Sequence, residues 1–357
     1  MSLLKKIKRK LISCKRKGDF LEVKLLGIKF KFSISNILGN NIYISSKSYG
    51  KIYLPYYNQD VSIVPLKPNI YNCEGKKMDT YFLRDMHVAH NPYQKDFTSK
   101  YFLWDRFDIA LDTHFYTHNA MLETMGKPSY KYGMLMESPA IVPNDYLIFE
   151  KHKTLSDDFD LIFTYDNKIL NTVKNARFFP FFAAPWYGGD FGGEITPDGY
   201  KNKTKNISIV SANKRMCHLH DVRIAMAQKC KTMGLADTFG TFDGGPFVKN
   251  GVSLENYRYS IVIENDLSSL FFTQKITSCF AAQTIPIYLG TKSIGKFFNL
   301  DGIIQIDEKD VDNLDKILSQ CNEKDYMARL PAIQDNYNRV LQYMNMFDWL
   351  YEKYLNK

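Results

Sequence analysis

The chain has 357 residues, and its 45% hydrophobic and 15% aromatic content predicts two folded domains of roughly 150 residues each rather than a disordered chain. Its net charge of +9 comes from the first 31 residues, which hold 11 Lys and Arg against Asp19 and Glu22. The remainder is balanced, whereas a nucleic-acid enzyme carries basic surface across its folded domains, so nucleic acid is excluded as a partner. Six widely spaced cysteines favour reduced thiols.

Residues 1–31 are a basic N-terminal segment. Apolar residues between Leu3 and Leu11 recur at helical spacing while lysines cover the other side, a pattern typical of a helix on an anionic membrane surface. A solvated basic arm is the alternative. Because the sequence has neither a membrane-spanning apolar run nor a signal-peptide cleavage site, we expect a cytoplasmic protein in peripheral contact with the inner face of the inner membrane.

Extended segments and three buried strands are predicted for the N-terminal half. Residues 20–70 contain short alternating stretches, and apolar runs at 107–112, 133–137 and 159–164 predict strands of an α/β domain. The Gly- and Pro-rich stretch 185–203 is typical of a linker, so we expect the domain boundary there.

The C-terminal half alternates predicted strands and helices. This alternation predicts a parallel sheet, whose ligands bind beyond the carboxyl ends of the strands, where helix N-termini present free N–H groups. The final segment, 331–356, has apolar residues at helical spacing and predicts one long amphipathic helix. The predicted strands are 207–211, 259–264, 285–289 and 303–306, and the predicted helices are 218–233 and 273–282.

One strand exit has the chemistry of a phosphate site. The strand that ends at Ile263 is followed by Glu264 and Asn265. Eight residues later, Thr273 is a predicted N-cap and Lys275 lies in the first helical turn. A cation opposes the helix dipole at that position unless an anion binds there, which favours a diphosphate site. An ordinary solvated lysine is the alternative.

The segment 257–299 resembles the donor-binding motif of the α1,3/4-fucosyltransferases, glycosyltransferase family 10, in a bacterial-type form. That family's pattern is Y-K-F-x-x-x-F-E-N-S, a short loop, Y-x-T-E-K, a helix and then T-x-P-V-x-x-G. Upstream, 236–240 resembles the family's V-D-V-F-G and 136–139 resembles its E-S-P. The matching positions of the main motif include Glu264, Asn265, Thr273, Lys275, Thr284, Pro286 and Gly290.

The resemblance implies an α/β protein of the GT-B class, with two Rossmann-like domains facing a central cleft. We expect an acceptor-binding domain over 32–190 and a nucleotide-sugar donor domain over 191–330, between the basic segment 1–31 and a C-terminal amphipathic helix over 331–357. Family members invert the anomeric centre and use GDP-fucose without a cofactor or an obligatory metal. The implied enzyme is a glycosyltransferase that moves fucose or a related sugar to a glycan hydroxyl, by analogy that of a lipopolysaccharide or capsule precursor.

The resemblance also assigns roles to single residues. Glu137 would be the base that takes the proton of the acceptor hydroxyl. Arg223, with Arg215 as a competing match, and Lys275 would neutralise the diphosphate. The strand-end pair 264–265 would contact the nucleotide, and a role in turn or backbone capping is the alternative for both residues.

Two donor-site positions depart from the family. Gln274 replaces the Glu of T-E-K, which removes a negative charge, and Phe271 replaces a tyrosine. Both positions lie beside the donor sugar in the family. Three alternatives therefore stay open: another GDP-sugar, another nucleotide sugar, or a carbohydrate- or nucleotide-binding protein without turnover.

Three patterns are weak candidates for a metal site. The Asp-Phe-Asp run 158–160 has the letters of the D-x-D motif of metal-dependent transferases, but it precedes a strand instead of following one. His87 with His90, and His218 with His220, lack a further ligand at a recognisable spacing. The sequence therefore predicts no metal site.

Overall fold

The computed structural model describes residues 79–84, 99–105, 108–123, 125–268, 270–311 and 313–356, and five strands nearer the N-terminus. The first three of those strands pair as an antiparallel sheet and the other two as an antiparallel pair, which agrees with the extended stretches predicted over 20–70. The helical pattern of residues 3–11 lies outside the described residues. The five strands are β1 (Ile12–Lys17), β2 (Phe20–Leu25), β3 (Ile28–Ser33), β4 (Lys51–Leu54) and β5 (Gln59–Ser62).

A six-stranded parallel sheet follows, in the order β11-β10-β9-β8-β6-β7. Its largely buried strands are rich in aromatic and β-branched residues, as expected for a sheet covered on both faces. The strands are β6 (Asp79–Arg84), β7 (Phe102–Asp105), β8 (Thr113–Thr117), β9 (Tyr130–Met134), β10 (Leu161–Thr164) and β11 (Ala176–Phe178).

The strand predicted at 107–112 is wrong. Residues 109–112 form a turn and a bend, and the strand begins at Thr113. Oδ1 of Asp108 accepts the N–H of Ala110 at 3.0 Å, and an aspartate that bonds to the backbone two residues on favours a turn over a strand. The strand predicted at 133–137 ends at Met134, so Glu137 follows the strand instead of ending it.

A second parallel sheet has five strands in the order β13-β12-β14-β15-β16. Its central strands have the near-continuous apolar character of strands buried on both faces. The strands are β12 (Lys205–Val210), β13 (Asp237–Phe239), β14 (Tyr257–Ile263), β15 (Ile285–Leu289) and β16 (Ile304–Gln305).

Helices cover the sheets and connect their strands. The longest begins after Cys217 and ends at Gly234, which adopts the left-handed conformation (φ +63°) that favours glycine after a helix. No helix in the described ranges is both long and apolar enough to cross a membrane. The α-helices are α1 (Ile148–Lys151), α2 (Asn167–Thr172), α3 (His218–Met233), α4 (Asn250–Leu254), α5 (Gln274–Ala281), α6 (Leu314–Ser319), α7 (Glu323–Ala328), α8 (Leu330–Val340) and α9 (Met346–Leu350).

The C-terminal segment is not the single helix predicted over 331–357. Helix α8 ends at Val340, and Asn345 caps a new helix by accepting two backbone N–H groups through its side chain. The segment then packs on the first sheet, where Oδ1 of Asp348 accepts a 2.7 Å hydrogen bond from Ser99 and the Tyr354 hydroxyl donates one of 2.8 Å to the carbonyl of Phe178. The break allows the chain to return to the N-terminal sheet.

Both parallel sheets share one topology. Numbered from its own first strand, each has the order 2-1-3-4-5 of a doubly wound sheet, with one further strand in the first sheet. The predicted α/β architecture of two Rossmann-like units, the GT-B class, is confirmed. In such sheets ligands bind at the carboxyl ends of the first and third strands, where the connections diverge. These strands are β6 and β8 in the first sheet, and β12 and β14 in the second.

Candidate active site between the two sheets

A buried carboxylate lies at the carboxyl end of β14. Glu264 is fully buried, and its two side-chain oxygens accept hydrogen bonds from the backbone N–H (2.9 Å) and the hydroxyl (2.8 Å) of Thr273. The ammonium of Lys275 lies 3.3 Å from the same carboxylate. A buried charge is stable only when it is paired and hydrogen-bonded, so these contacts tie the end of β14 to the start of α5.

Lys275 is held at the first turn of α5 and is not freely solvated. Thr273 is the N-cap, and its hydroxyl accepts from the Lys275 N–H at 3.3 Å. The lysine side chain keeps 22% of its surface exposed. Burial lowers the pKa of its ammonium, a shift that the Glu264 carboxylate opposes, the Arg223 guanidinium strengthens and, to a smaller extent, Glu137 opposes. The cation is therefore paired with Glu264 of the second sheet and also acted on by the charge of Glu137 from the first.

Asn265 joins β14 to helix α3. Its Oδ1 accepts hydrogen bonds from Nη2 of Arg223 (2.7 Å) and from Nε2 of His220 (3.1 Å). Nδ1 of His220 accepts the N–H of Met216 at 3.0 Å, which assigns the proton to Nε2. Burial, then the charge of Arg223, lowers the pKa of His220 and keeps the ring neutral. These contacts direct the amide nitrogen of Asn265 away from Arg223.

The structure separates the two arginines that compete for the diphosphate role. Arg223 lies in this cluster; burial lowers its pKa, and its Nε is buried without a hydrogen-bond partner among the described residues. Arg215 has a side chain 63% exposed and forms an ion pair with Asp221. Both arginines belong to the connection that follows β12. Of the two, Arg223 hydrogen-bonds to Asn265 at the end of β14.

Phe271 and Gln274 lie on either side of the N-cap Thr273 in the sequence. Phe271 is buried, and its ring centroid lies 4.9 Å from that of Tyr165, which follows β10. A phenylalanine here packs and offers no hydroxyl to a ligand. Gln274, the first residue of α5, is half-buried beside Lys275.

Glu137 lies beyond the carboxyl end of β9 in the first sheet. Its Oε1 accepts the N–H of Ser138 at 2.8 Å, and its backbone carbonyl accepts from the Tyr146 hydroxyl at 2.7 Å. Glu137 is half-buried, and its carboxylate charge acts on the ammonium of Lys275. The Tyr146 and Tyr165 hydroxyls lie 3.0 Å apart and the Tyr165 ring packs on Phe271, so the predicted base Glu137 lies beside the contact of the two sheets at which the helix of Lys275 starts.

Asp266 is a site residue that the sequence reasoning missed. Its Oδ1 accepts the N–H of Ser268 at 3.0 Å, while Oδ2 is buried without a hydrogen-bond partner among the described residues. Its charge acts on Tyr146 and Tyr165 of the first sheet. Buried polar atoms without partners are rare, and a bound ligand commonly explains them. The sequence does contain one indication of this role: Asp266 occupies the position of the Ser in the F-E-N-S pattern.

One histidine of the candidate metal patterns, His220, belongs to this cluster and donates to Oδ1 of Asn265. The other described members make different contacts. The run 158–160 is at the amino end of β10, opposite the edge that carries Glu137, and Oδ2 of Asp160 accepts the N–H of Lys131 at 2.7 Å. His218 pairs with Glu308 at 2.6 Å. Within the described ranges, no group of three or more His, Cys, Asp or Glu side chains is placed to hold a metal ion. His87 and His90 lie outside the described residues.

Comparisons with known proteins return similar solved structures. The chain is similar to an α1,3-fucosyltransferase crystallised with GDP, at 13% identity and a TM-score of 0.46, over 82% of this chain and 94% of that one. It is similar to HepE of Anabaena in complex with UDP, at 9% identity and a TM-score of 0.49, over 78% and 100%. It is also similar to sucrose-phosphate synthase from Thermosynechococcus elongatus, at 9% identity and a TM-score of 0.47, over 78% of this chain and 88% of that one. No protein-family model and no curated protein matches the sequence.

Proposed function

We propose that the protein is an inverting glycosyltransferase that moves a sugar from a GDP carrier to a hydroxyl of a glycan. One observation carries the proposal: the charge of Glu137, which follows β9 of the first sheet, acts on Lys275, which lies with Arg223 beyond β12 and β14 of the second sheet, where a doubly wound sheet binds its ligand. A displacement reaction needs this division, with a base on the acceptor side and positive charge at the leaving group.

The second sheet would bind the carrier through its diphosphate. Arg223 offers a buried Nε that has no hydrogen-bond partner in the described part of the chain, and Lys275 lies at the N-terminus of α5, where backbone N–H groups also favour an anion. As the bond from sugar to phosphate breaks, the charge that develops on GDP would be neutralised by these two cations. This arrangement supplies the electrostatic help without a cofactor or an obligatory metal.

The first sheet would supply the base. Glu137 would take the acceptor proton as the hydroxyl attacks the anomeric carbon from the face opposite the leaving GDP, which inverts the configuration. The partial exposure of Glu137 supports this role, because a base must reach an incoming ligand. Because Oε1 of Glu137 accepts the Ser138 N–H, Oε2 would be the oxygen that takes the proton of the acceptor hydroxyl.

For the donor sugar we propose fucose or a related sugar. Gln274 and the buried Phe271 provide less charge and hydrogen bonding than the family's Glu and Tyr, and Asp266 supplies a carboxylate oxygen close by. For the acceptor we propose a lipopolysaccharide or capsule precursor, reached in the cytoplasm with residues 1–31 in contact with the inner membrane. A binding protein without turnover is the second candidate, which the charge lost at Gln274 favours.

The test is donor hydrolysis with water as the acceptor, so that no glycan has to be known. Purified protein with EDTA is incubated with GDP-fucose, GDP-mannose and UDP-glucose, and the released nucleotide is measured for the wild type and Glu137→Gln. The proposal predicts release from a GDP-sugar by the wild type and its loss in the variant. Binding of GDP-sugars without release would instead establish the binding protein.

A further inference from the structure

Behind Glu137, a buried histidine holds the backbone that carries the proposed base. His118 follows β8 directly and is completely buried. Its Nε2 accepts two backbone N–H groups, those of Met136 and Glu137, each at 3.0 Å. Because one lone pair serves both donors, Nε2 must be unprotonated, and the proton belongs on Nδ1.

An aspartate favours that tautomer. Oδ2 of Asp145 lies 3.1 Å from Nδ1 of His118, so its negative charge favours a proton on that nitrogen. Oδ1 of the same carboxylate accepts from Nδ2 of Asn119 at 2.5 Å, which orients the carboxylate. Asp145 itself is nearly buried, so its charge acts on the ring in a medium of low polarity, where electrostatic interactions are strong.

The backbone conformation of His118 indicates that the arrangement carries a cost. Its φ is +50°, in the left-handed region that non-glycine residues adopt rarely and at an energetic expense. Such strain persists where the surroundings fix it, and it is concentrated at functional sites. Here the conformation points the ring at the loop that follows β9.

We propose that His118, whose Nδ1 lies beside the Asp145 carboxylate, is the positioning residue of the base. This inference rests on the proposed function. His118 holds the Glu137 N–H while Tyr146 holds the Glu137 carbonyl, so the peptide groups on both sides of the proposed base are fixed. Fixing both groups sets where the carboxylate lies relative to the acceptor hydroxyl, and a misplacement of about 1 Å costs on the order of 100-fold in rate.

Two amide substitutions separate this role from a structural one. The side-chain amide of His118→Asn ends at the bond distance of Nδ1, so it reaches Asp145 and leaves the two backbone N–H groups without an acceptor. The amide of His118→Gln ends at the distance of Nε2, so its oxygen restores that acceptor. Asparagine tolerates a positive φ and glutamine does not, so His118→Asn should be the more stable variant and His118→Gln the more active one.

The experiment compares both variants with the wild type and Glu137→Gln, using the GDP-sugar that the wild type hydrolyses fastest. We expect kcat to fall about tenfold or more in His118→Asn with KM within about twofold, and to stay within about threefold in His118→Gln. Amide hydrogen exchange of Met136 and Glu137, measured without donor, should accelerate only in His118→Asn. Thermal melting gives the stability order.

Each pattern of results has one meaning. Wild-type kcat or unchanged exchange in His118→Asn, or activities that follow the melting temperatures, would overturn the positioning role. If the wild type releases no nucleotide, or Glu137→Gln releases it at the wild-type rate, the proposed function fails. Loss of release in Glu137→Gln alongside a fully active His118→Asn contradicts the positioning role alone.

Discussion

Nη2 of Arg223 donates a 2.7 Å hydrogen bond to Oδ1 of Asn265, which links helix α3 to the end of strand β14. The two residues are 42 positions apart in sequence, and the contact lies between β12 and β14, where a doubly wound sheet binds its ligand. It also distinguishes Arg223, the better match in the sequence, from its competitor Arg215.

Arg223→Ala is expected to weaken GDP binding by about tenfold or more, because a hydrogen bond to a charged group contributes about 1.5–3 kcal/mol. Arg215→Ala is the matched control and should change the dissociation constant by less than about twofold, since its exposed guanidinium pairs with Asp221. Calorimetric titration with GDP measures both. Equal losses in the two variants would remove Arg223 from the diphosphate role.

Glu137→Gln should lower kcat by about 10²- to 10⁴-fold and leave GDP binding within about twofold, because a base acts in the chemical step alone. The glutamine oxygen can still accept the Ser138 N–H, so the local fold should persist. Glu150→Gln, which changes an exposed carboxylate paired with Lys168, is the control and should keep the wild-type kcat. A KM effect without a kcat effect would indicate sugar binding instead of base catalysis.

Asp266→Asn should raise KM for the GDP-sugar by about tenfold and leave the affinity for GDP itself unchanged. The expected loss is that of one hydrogen bond from a sugar hydroxyl to a charged oxygen, about 1.5–3 kcal/mol. Asp243→Asn is a close control, because Asp243 also accepts an N–H two residues on, from Gly245, but lies at the surface with Lys231. Weaker binding of GDP in Asp266→Asn would place the carboxylate at the nucleotide.

Lys203 should make stability depend on pH. Its ammonium is buried against the carbonyls of Leu254 and Glu255 and the hydroxyl of Thr284, and burial lowers its pKa to about 7. Between about pH 7 and the pKa of the unfolded chain, the unfolded state holds more protons, so the free energy of unfolding should rise with pH, by at most about 1.4 kcal/mol per unit.

The measurement for Lys203 is denaturant unfolding of the wild type and Lys203→Met from pH 7.5 to 9.5. At each pH, the free energy of unfolding of the variant is subtracted from that of the wild type. This difference cancels the contribution of other titrating groups that the substitution leaves unchanged. The difference should grow in favour of the wild type as pH rises. A flat or falling difference would mean that Lys203 stays charged in its three-acceptor site.

Much of the second sheet is predictable from the sequence because local signals and burial agree there. Helix α3 has the predicted bounds, since Gly234 supplies its C-terminal signal, and β15 has its predicted bounds as a fully apolar run. The first sheet is less predictable. The hydrogen bond from the Ala110 N–H to the Asp108 side chain favours a turn where the apolar run 107–112 predicts a strand. In the C-terminal segment, Asn345 caps a new helix within a stretch whose apolar spacing predicts one continuous helix.

The candidate site was predictable where side chains follow strands and was missed where long-range contacts create the role. Lys275 and Asn265 are visible as a helix start and a strand end. His118 acts through N–H groups 18 and 19 residues away, and Oδ2 of Asp266 is buried without a hydrogen-bond partner among the described residues only in the folded chain. No local pattern encodes either property.

The most direct test of the central claim is calorimetric titration of the wild type and Lys275→Ala with GDP, UDP and CMP in the presence of EDTA. We expect the wild type to bind GDP with a dissociation constant of about 1 μM, or roughly −8 kcal/mol, and Lys275→Ala to lose this binding. UDP and CMP should bind more weakly. Binding of UDP or CMP in preference to GDP, or GDP binding that is unchanged by the substitution, would contradict a GDP-sugar transferase.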